Sequence, residues 1–289
     1  MRIVKFKGGL GNQLFQYAFG KYVSGLFGDD VAYDCQTETP PEILKLSVDC
    51  PVLDDKQVKS VVKLSGFRKG GAFKRKIFAA INNAFNKKYY FEKTRAERDI
   101  ARLCDKFYFD GYWQCWKYVE SQKDELRRQF FPKAGLSEAA QRDIEEVLKR
   151  ETVCLGIRLG DYTAEQKHYM VCDANYYKKA IKYCLQHVEN PLFYVFSNDV
   201  DGAKAIAAEF ADEAEFKFRE QDKTLVNYEE LQVMAACRHA IIPNSTFHWW
   251  AAWLKEGENH VIVAPEPWFG DGKKINIVPD YWVKIQEDA

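Results

Sequence analysis

The chain has 289 residues, which is enough to bury a large core in one large or two medium domains. Lysine plus arginine and aspartate plus glutamate each number 42, so the formal net charge is zero and no overall positive field attracts nucleic acid. The 8 cysteines include no Cys-x-x-Cys pair, which favours buried free thiols in a reducing compartment over a disulfide framework or a zinc site.

The amino terminus predicts a strand, a glycine-rich turn and a helix in immediate succession. Residues 3–6 form an apolar strand pattern with no signal region before it, Gly9 and Gly11 lie in the turn, and apolar side chains recur at helical spacing from Leu14. A turn of this kind lets backbone N–H groups approach a phosphate or a sugar closely.

The same segment has two interpretations. Gly9-x-Gly11, with Asp34 about 20 residues further on, matches part of the dinucleotide-binding fingerprint. Leu14, however, occupies the third glycine position, which is needed for close packing of helix on strand. Asn12 and Gln13 open the helix, where their amides can donate hydrogen bonds to another ligand. The second interpretation is favoured.

Residues 63–93 combine basic and aromatic side chains. The apolar positions fit one helical face: Phe73, Ile77, Phe78, Ile81 and Phe85. Because lysines and arginines lie beside this face, it can rest on an anionic membrane surface. The favoured alternative is an ordinary helix that faces the core and keeps its lysines in solvent.

A dense aromatic segment at residues 107–114 ends the first half of the chain. Its Tyr112 and Trp113 can stack on a sugar face or seal a domain interface. Pro132 and Gly135 then mark a boundary, so we expect domains at residues 1–132 and 133–289. Nowhere do 18 apolar residues follow one another, so no membrane span is predicted.

Val153, Leu155 and Ile157 alternate with smaller residues as in a half-buried strand, which leads directly to Arg158, and Asp161 follows after a glycine. Open α/β folds bind ligands at the carboxyl edge of the sheet, where a guanidinium can hold a phosphate with two hydrogen bonds. A surface ion pair between Arg158 and Asp161 is the structural alternative.

Two later strands also deliver polar side chains to such an edge. Residues 192–196 form a continuous apolar run followed by Ser197 and Asp199, and residues 240–242 precede Asn244, Ser245 and Thr246 at the start of a helix. That helix start can bind an anion or can be a simple N-cap. His248, a lone histidine on this aromatic helix, is interpreted as packing in preference to a base or ligand.

Four segments together resemble glycosyltransferase family 11, the bacterial α-1,2-fucosyltransferases. Residues 8–18 look like its amino-terminal signature, residues 111–118 like its central aromatic motif, and residues 244–254 like its carboxyl-terminal signature. Residues 157–162 resemble the His-x-Arg-Arg-x-Asp-Tyr peptide shared by several fucosyltransferase groups. The segments span nearly the whole chain in the family's order.

The chain departs from the family pattern at four positions. Gly156 stands where the family usually has His, Leu159 where it has a second Arg, His248 where Ser is usual, and Asn198 where Asp is usual. Arg158 retains the place of the arginine that grips the donor diphosphate in related enzymes. An altered donor, or a non-catalytic sugar-nucleotide-binding protein, is therefore the alternative to an active fucosyltransferase.

The resemblance implies a glycosyltransferase-B fold, in which two Rossmann-like α/β domains face each other across a cleft, the first on the acceptor side and the second on the donor side. It implies transfer of L-fucose from GDP-fucose to the 2-hydroxyl of a terminal β-galactoside, with inversion. It also implies that the reaction needs no metal or other cofactor.

The sequence patterns and the resemblance together give a set of candidate site residues. Arg158, Asp161 and Asn12 are the catalytic candidates, with Asp161 as the base or as the partner that orients Arg158. The tyrosine and tryptophan of the aromatic segment are the acceptor candidates. The donor-binding candidates are Gly9, Gly11, Gln13, Arg158, Ser197, Asp199, Asn244, Ser245, Thr246 and Phe247.

The expected partners are a sugar nucleotide and a β-galactoside glycan, without nucleic acid. The expected location is cytoplasmic, and peripheral contact with a lipid-linked glycan at the inner membrane is an open alternative. The acceptor glycan, the general base and the oligomeric state are not determined by the sequence.

Overall fold

The computed structural model describes residues 1–35, 40–159, 172–219, 225–255, 257–271 and 275–286. The chain divides into two compact units: unit 1 contains Met1–Lys133 and Ile275–Ile277, and unit 2 contains Ala134–Lys274 and Val278–Ala289. The predicted boundary after residue 132 lies one residue before the first break. The return of Ile275–Ile277 to unit 1 has no signal in the sequence pattern.

Unit 1 is built on a four-stranded parallel sheet with the order β2-β1-β4-β3. The strands are β1 (Arg2–Phe6), β2 (Val31–Cys35), β3 (Tyr89–Phe91) and β4 (Tyr108–Asp110). The helices are α1 (Leu10–Phe27), α2 (Asp55–Lys59), α3 (Ala72–Phe85), α4 (Lys117–Glu120) and α5 (Lys123–Gln129). The chain passes from β1 to β2 on one side, then crosses to form β3 at the opposite edge and β4 beside β1, so the topological switch point lies between β1 and β4.

Unit 2 is built on a six-stranded parallel sheet with the order β10-β9-β8-β5-β6-β7. The strands are β5 (Thr152–Ile157), β6 (Leu192–Ser197), β7 (Glu215–Phe218), β8 (His239–Ile241), β9 (Ile262–Glu266) and β10 (Val283–Gln286). The helices are α6 (Glu138–Val147), α7 (Ala174–His187), α8 (Val200–Ala208), α9 (Asn227–Ala236) and α10 (Thr246–Trp253). Its switch point lies between β5 and β8.

The burial of two neighbouring strands of unit 2 agrees with the parallel arrangement of its sheet. Every residue of β5 and the first five of β6 are buried, as expected for strands covered by helices on both faces. Leu155, Phe193 and Val195 pack with Tyr177 and Ile181 of α7 in one core cluster. The prediction of an α/β protein with parallel sheets is therefore confirmed. Among the described helices, none combines the length and the apolar character needed to cross a bilayer.

Helix α3 does not face the core in the way that its sequence pattern favours. Phe78 is buried and packs edge-on against Tyr89, at 5.9 Å between ring centres. Phe73 and Phe85 are instead 75% and 69% exposed, so the prediction that they face the core is wrong. The buried face also contains Asn82, whose amide bonds to the backbone of the preceding loop. A polar residue thus occupies a position that periodicity alone would give to an apolar one.

Candidate functional site

The carboxyl edge of the sheet in unit 2 brings together the predicted donor-binding loops. Ile157 of β5 pairs with Ser197 of β6, and Leu155 pairs with Ile241 of β8, so the three strands end at nearly the same level. Arg158 lies at this edge with an exposed side chain. Its backbone N–H donates to the hydroxyl of the buried Tyr177 at 2.9 Å. The position of the Arg158 backbone is therefore fixed by helix α7.

The loop after β6 uses its polar side chains to start helix α8. The Ser197 hydroxyl donates to the carbonyl of Asp199 at 2.8 Å and accepts from its N–H at 3.0 Å. The Asp199 carboxylate is the N-cap of α8 and accepts from the N–H of Gly202 at 3.0 Å. Both side chains were predicted to bind the donor. The structure places them in a capping turn at the carboxyl edge of the sheet, where the donor was expected.

The start of α10 is not a simple capped helix. Ser245 occupies the N-cap position, but its hydroxyl makes no capping hydrogen bond. Its own N–H donates to the carbonyl of Pro243 at 2.7 Å. Asn244 contacts Cys172 through its amide oxygen, and Thr246 and Phe247 form the first helical turn. Because α10 follows β8, which pairs with β5, the positive end of its dipole lies at the same edge of the sheet as Arg158.

Two departures from the family pattern, Gly156 and His248, are in direct contact. A Cβ atom placed on Gly156 would lie 2.2 Å from Cδ2 and 2.6 Å from Nε2 of His248. The imidazole thus fills the space that any side chain on Gly156 would need. Both ring nitrogens are buried and have no hydrogen-bond partner among the described residues. Burial, and then the charge of Arg158, lower the pKa of His248 to about 4, so the ring is neutral at pH 7.

The glycine-rich turn of unit 1 lies at the switch point between β1 and β4. Gly8 has a φ of 81°, and a Cβ atom there would lie 2.5 Å from Nδ2 of Asn12. The Asn12 amide oxygen accepts from Nε2 of Gln114 at 2.8 Å, which joins the turn to the segment after β4. Gly9 precedes α1 with open space where a side chain would be, and Gly11 is buried within the helix. The backbone at Gly9 is therefore open to close approach.

The amide of Gln13 is used inside the protein. Its Nε2 donates to the carbonyl of Gly8 at 3.0 Å, and its Oε1 accepts from the N–H of Ile43 at 3.1 Å. Gln13 is buried, so its predicted donor-binding role is corrected to a structural one. Gln16, one turn later, accepts from the N–H of Lys7 and donates to the carbonyl of Gly111. The sequence feature that could have predicted this connection is Gln16 itself, a polar residue on an otherwise apolar face of the helix.

Trp113 does not present its ring to a sugar. It is 1% exposed and lies flat against Phe19, at 4.0 Å between ring centres and 2° between planes. The prediction that Trp113 binds the acceptor is therefore wrong, because its face is covered by the core. Tyr112 keeps some exposed surface, and the cations of Lys7 and Arg95 lie 4.4 and 4.5 Å from its ring centre. Tyr112 is the acceptor candidate that the geometry still allows.

Asp34 cannot serve as the ribose-binding acid of a dinucleotide fold. It is fully buried, accepts from Nε of Arg68 at 3.0 Å to each oxygen, and accepts from the Tyr108 hydroxyl at 2.5 Å. Burial raises the pKa of Asp34 even though Tyr108 and Arg68 favour its charged form. Since Leu14 is also buried in the core, the dinucleotide interpretation fails at both positions that define it.

A second buried acid, Asp110, is the last residue of β4, at the carboxyl edge of the sheet in unit 1. It accepts from Nζ of Lys5 at 2.9 Å, from Nζ of Lys7 at 3.0 Å and from the Tyr89 hydroxyl at 2.7 Å. Burial alone would raise the pKa of Asp110, but the two lysines hold it below its ordinary value. The acid is thus a charged anchor that positions Lys7 beside Tyr112.

Asp161, the predicted base or partner of Arg158, lies outside the described residues. Within the part of the chain that is described, no group of three or more histidine, cysteine, aspartate or glutamate side chains could hold a metal ion. The 8 cysteines are free thiols, but only Cys115, Cys154, Cys184 and Cys237 are buried, and Cys104 is exposed, so the expectation of buried thiols holds for half of them.

The chain is similar to glycosyltransferases over its whole length. It is 27% identical to an alpha-1,2-colitosyltransferase of Escherichia coli, over 99% of both chains. It is 25% identical to human galactoside alpha-(1,2)-fucosyltransferase 1, over 55% of this chain and 46% of that protein. Among solved structures, Arabidopsis thaliana FUT1 in complex with GDP has a TM-score of 0.53 and 11% identity, over 92% of this chain and 70% of that one.

These similarities agree with the two α/β units and their parallel sheets. The fold is of the glycosyltransferase-B type, as predicted. The model of glycosyl transferase family 11 matches residues 69–286, which include the loops after β5, β6 and β8. The predicted membership is confirmed: the chain is a glycosyltransferase and belongs to glycosyl transferase family 11.

Proposed function

We propose that this protein transfers L-fucose from GDP-fucose to the 2-hydroxyl of a terminal β-galactoside, with inversion and without a metal ion. The observation that carries the proposal is the edge of unit 2, where an exposed arginine follows β5 and an uncapped helix start follows β8. These strands flank the topological switch point, which is where open α/β sheets bind ligands.

The proposed chemistry is a single displacement at the anomeric carbon. The acceptor oxygen attacks from the face opposite to the diphosphate, the bond from carbon to the phosphate oxygen breaks, and GDP leaves with the electron pair. Negative charge then develops on the diphosphate, where the guanidinium of Arg158 and the first-turn N–H groups of α10 stabilise it. The proton of the acceptor hydroxyl passes to a base, for which Asp161 is the candidate.

The sugar of the donor is the open part of this proposal. The Escherichia coli relative that matches over the whole chain is a colitosyltransferase, whereas the human relative is a fucosyltransferase. Gly156 and His248 change the chemistry directly beside Arg158. A GDP-linked colitose donor is therefore the alternative that the observations favour.

Nucleotide binding and sugar transfer should be tested separately. We expect GDP to raise the melting temperature of the protein, while UDP, CMP and NADH do not. We expect labelled fucose to appear on lactose when GDP-fucose is supplied, at an unchanged rate in the presence of EDTA. Stabilisation by GDP without transfer from either GDP-fucose or GDP-colitose would support the non-catalytic alternative. Stabilisation by NADH but not GDP would refute the proposal.

We also propose that helix α3 of unit 1 contacts an anionic lipid surface. Two large apolar side chains of this helix, Phe73 and Phe85, project into solvent. Cations lie beside these and neighbouring rings: Nζ of Lys63 is 5.8 Å from the ring centre of Phe85, and Nζ of Lys74 is 5.9 Å from that of Phe67. Exposed aromatic residues flanked by lysines bind the interface of anionic membranes by insertion and by charge attraction.

Sedimentation with lipid vesicles tests this surface. We expect the protein to pellet with vesicles that contain phosphatidylglycerol and to stay in solution with pure phosphatidylcholine. The variant Phe73→Ser/Phe85→Ser should lose most of the binding. Phe131→Ser, which removes another exposed phenylalanine of unit 1 outside α3, should keep it. Equal pelleting of all three proteins would exclude α3 as the membrane contact.

A further inference from the structure

His248 is in an unusual chemical state for a residue of a packed helix. Both nitrogens of its imidazole are buried, and neither has a hydrogen-bond partner in the described part of the chain. Most buried polar side-chain atoms in proteins are hydrogen-bonded, because leaving one unpaired costs stability. The neutral ring has one N–H donor and one nitrogen acceptor, and nothing described in the protein uses either.

The surroundings of His248 identify where such a partner would come from. The ring lies in the first turn of α10, three residues after the N-cap Ser245. Arg158 is close enough for its charge to help lower the pKa of His248. Gly156 lies directly under the ring, so β5 contributes no side chain that could compete for this space. The imidazole of His248, the guanidinium of Arg158 and the start of α10 therefore lie together at the carboxyl edge of the sheet in unit 2.

We propose that His248 is a donor-binding residue whose imidazole N–H donates a hydrogen bond to the diphosphate of the nucleotide sugar, beside Arg158. The inference rests on the proposed function. A neutral N–H group adds a hydrogen bond to the phosphate without repelling the adjacent guanidinium, as a second cation would. Gly156 is the positioning residue for this contact, because only a glycine leaves room for the ring.

The contact between these two positions predicts that they are energetically coupled. Gly156→Ala places a methyl group within 2.2 Å of the ring and must displace it. In a His248→Ser background the imidazole contacts are gone, and the near atom that remains is Cδ of Pro243, at 3.0 Å from the added Cβ. We therefore expect Gly156→Ala to weaken GDP binding in the native background and to have little further effect when His248 is serine.

The deciding experiment measures GDP affinity by calorimetry and donor KM and kcat in the transfer assay. His248→Leu retains most of the volume of the ring without its N–H, and we expect GDP to bind about 10- to 100-fold more weakly. His248→Gln keeps a side-chain amide N–H and should recover most of the affinity. The matched control is His187→Phe, at an exposed histidine of α7, which should bind GDP like the native protein.

The outcomes separate this inference from the proposed function. A native protein that does not bind GDP refutes the proposed function. A native protein that binds GDP, together with His248→Leu at unchanged GDP affinity and unchanged donor KM, refutes the role of His248. If GDP affinity is unchanged but donor KM rises, the contact to the diphosphate is refuted in favour of the sugar. Should His248→Leu fail to fold, Gly156→Ala gives the same test with the imidazole intact.

Discussion

Replacing His248 by leucine is expected to reduce the loss of stability at acidic pH. The pKa of His248 is lowered from 6.5 to about 4 in the folded protein, by burial and then by the charge of Arg158. Since the unfolded chain then binds more protons than the folded protein, stability falls as the pH drops from about 6.5 to about 4. From these two pKa values, protonation in the unfolded state removes about 2 kcal/mol from the free energy of unfolding between pH 8 and pH 5.

Urea unfolding of the native protein and of His248→Leu, each at pH 8 and pH 5, measures this difference. Carboxylates titrate in both proteins, so their contribution cancels when the two pH-dependent losses are compared. The native protein should lose about 2 kcal/mol more than the variant. Equal losses in the two proteins would refute the reasoning, as would an NMR titration in which His248 of the folded protein protonates near pH 6.5.

Four further substitutions test residues at the two switch points. Arg158→Ala should lower kcat by about two to three orders of magnitude in the transfer assay, because it removes the cation proposed to stabilise the leaving diphosphate. Asp110→Asn should lower the free energy of unfolding by about 3–5 kcal/mol in chemical denaturation, because it leaves the buried Lys5 cation without its charged partner. Gly8→Ala should cost about 1–2 kcal/mol in the same measurement, since φ is 81° there and the added Cβ would lie 2.5 Å from Nδ2 of Asn12. Gly9→Ala should change stability by less than about 0.5 kcal/mol, because φ is −74° and its Cβ would meet open space.

Each of these predictions has a result that would contradict it. For Arg158, a variant within threefold of the native kcat would remove the guanidinium from the mechanism, and Arg158→Lys should show an intermediate rate. For Asp110, an unchanged unfolding midpoint would mean that the lysine is solvated or neutral in the folded protein. For the glycine pair, equal effects at Gly8 and Gly9 would show that the left-handed backbone conformation is not what selects glycine.

Features that depend on local sequence were predictable. A continuous apolar run such as residues 192–196 indicates a strand buried on both faces, and in the structure these residues form a buried strand with neighbours on both sides. Arg158, Ser197 and Ser245 were placed at strand ends from the same kind of pattern, and the pairing register brings those ends together. Parallel strands make such predictions possible, because every carboxyl end points to one edge of the sheet.

Features that depend on contacts between distant segments were not predictable. The exposure of Phe73 is set by which side of α3 the sheet covers, and periodicity alone does not give that side. The sequence allows Trp113 to stack on a sugar, but in the structure Phe19 covers the face of its ring. The contact of Gly156 with His248 joins a strand and a helix 92 positions apart. Considered separately, Gly156 indicates only the loss of the family's histidine, and His248 indicates only a residue that packs in the helix.

The return of Ile275–Ile277 to unit 1 has a practical consequence for dissecting this enzyme. The carbonyl of Asn276 accepts from the N–H of Trp116 at 2.9 Å, and its side-chain amide donates to Glu97. A fragment cut after Lys133 would therefore lack part of its own structure and expose a backbone donor that is now satisfied. Separate production of the first unit requires this short tail segment to be grafted back onto it, for example through a linker in a permuted gene.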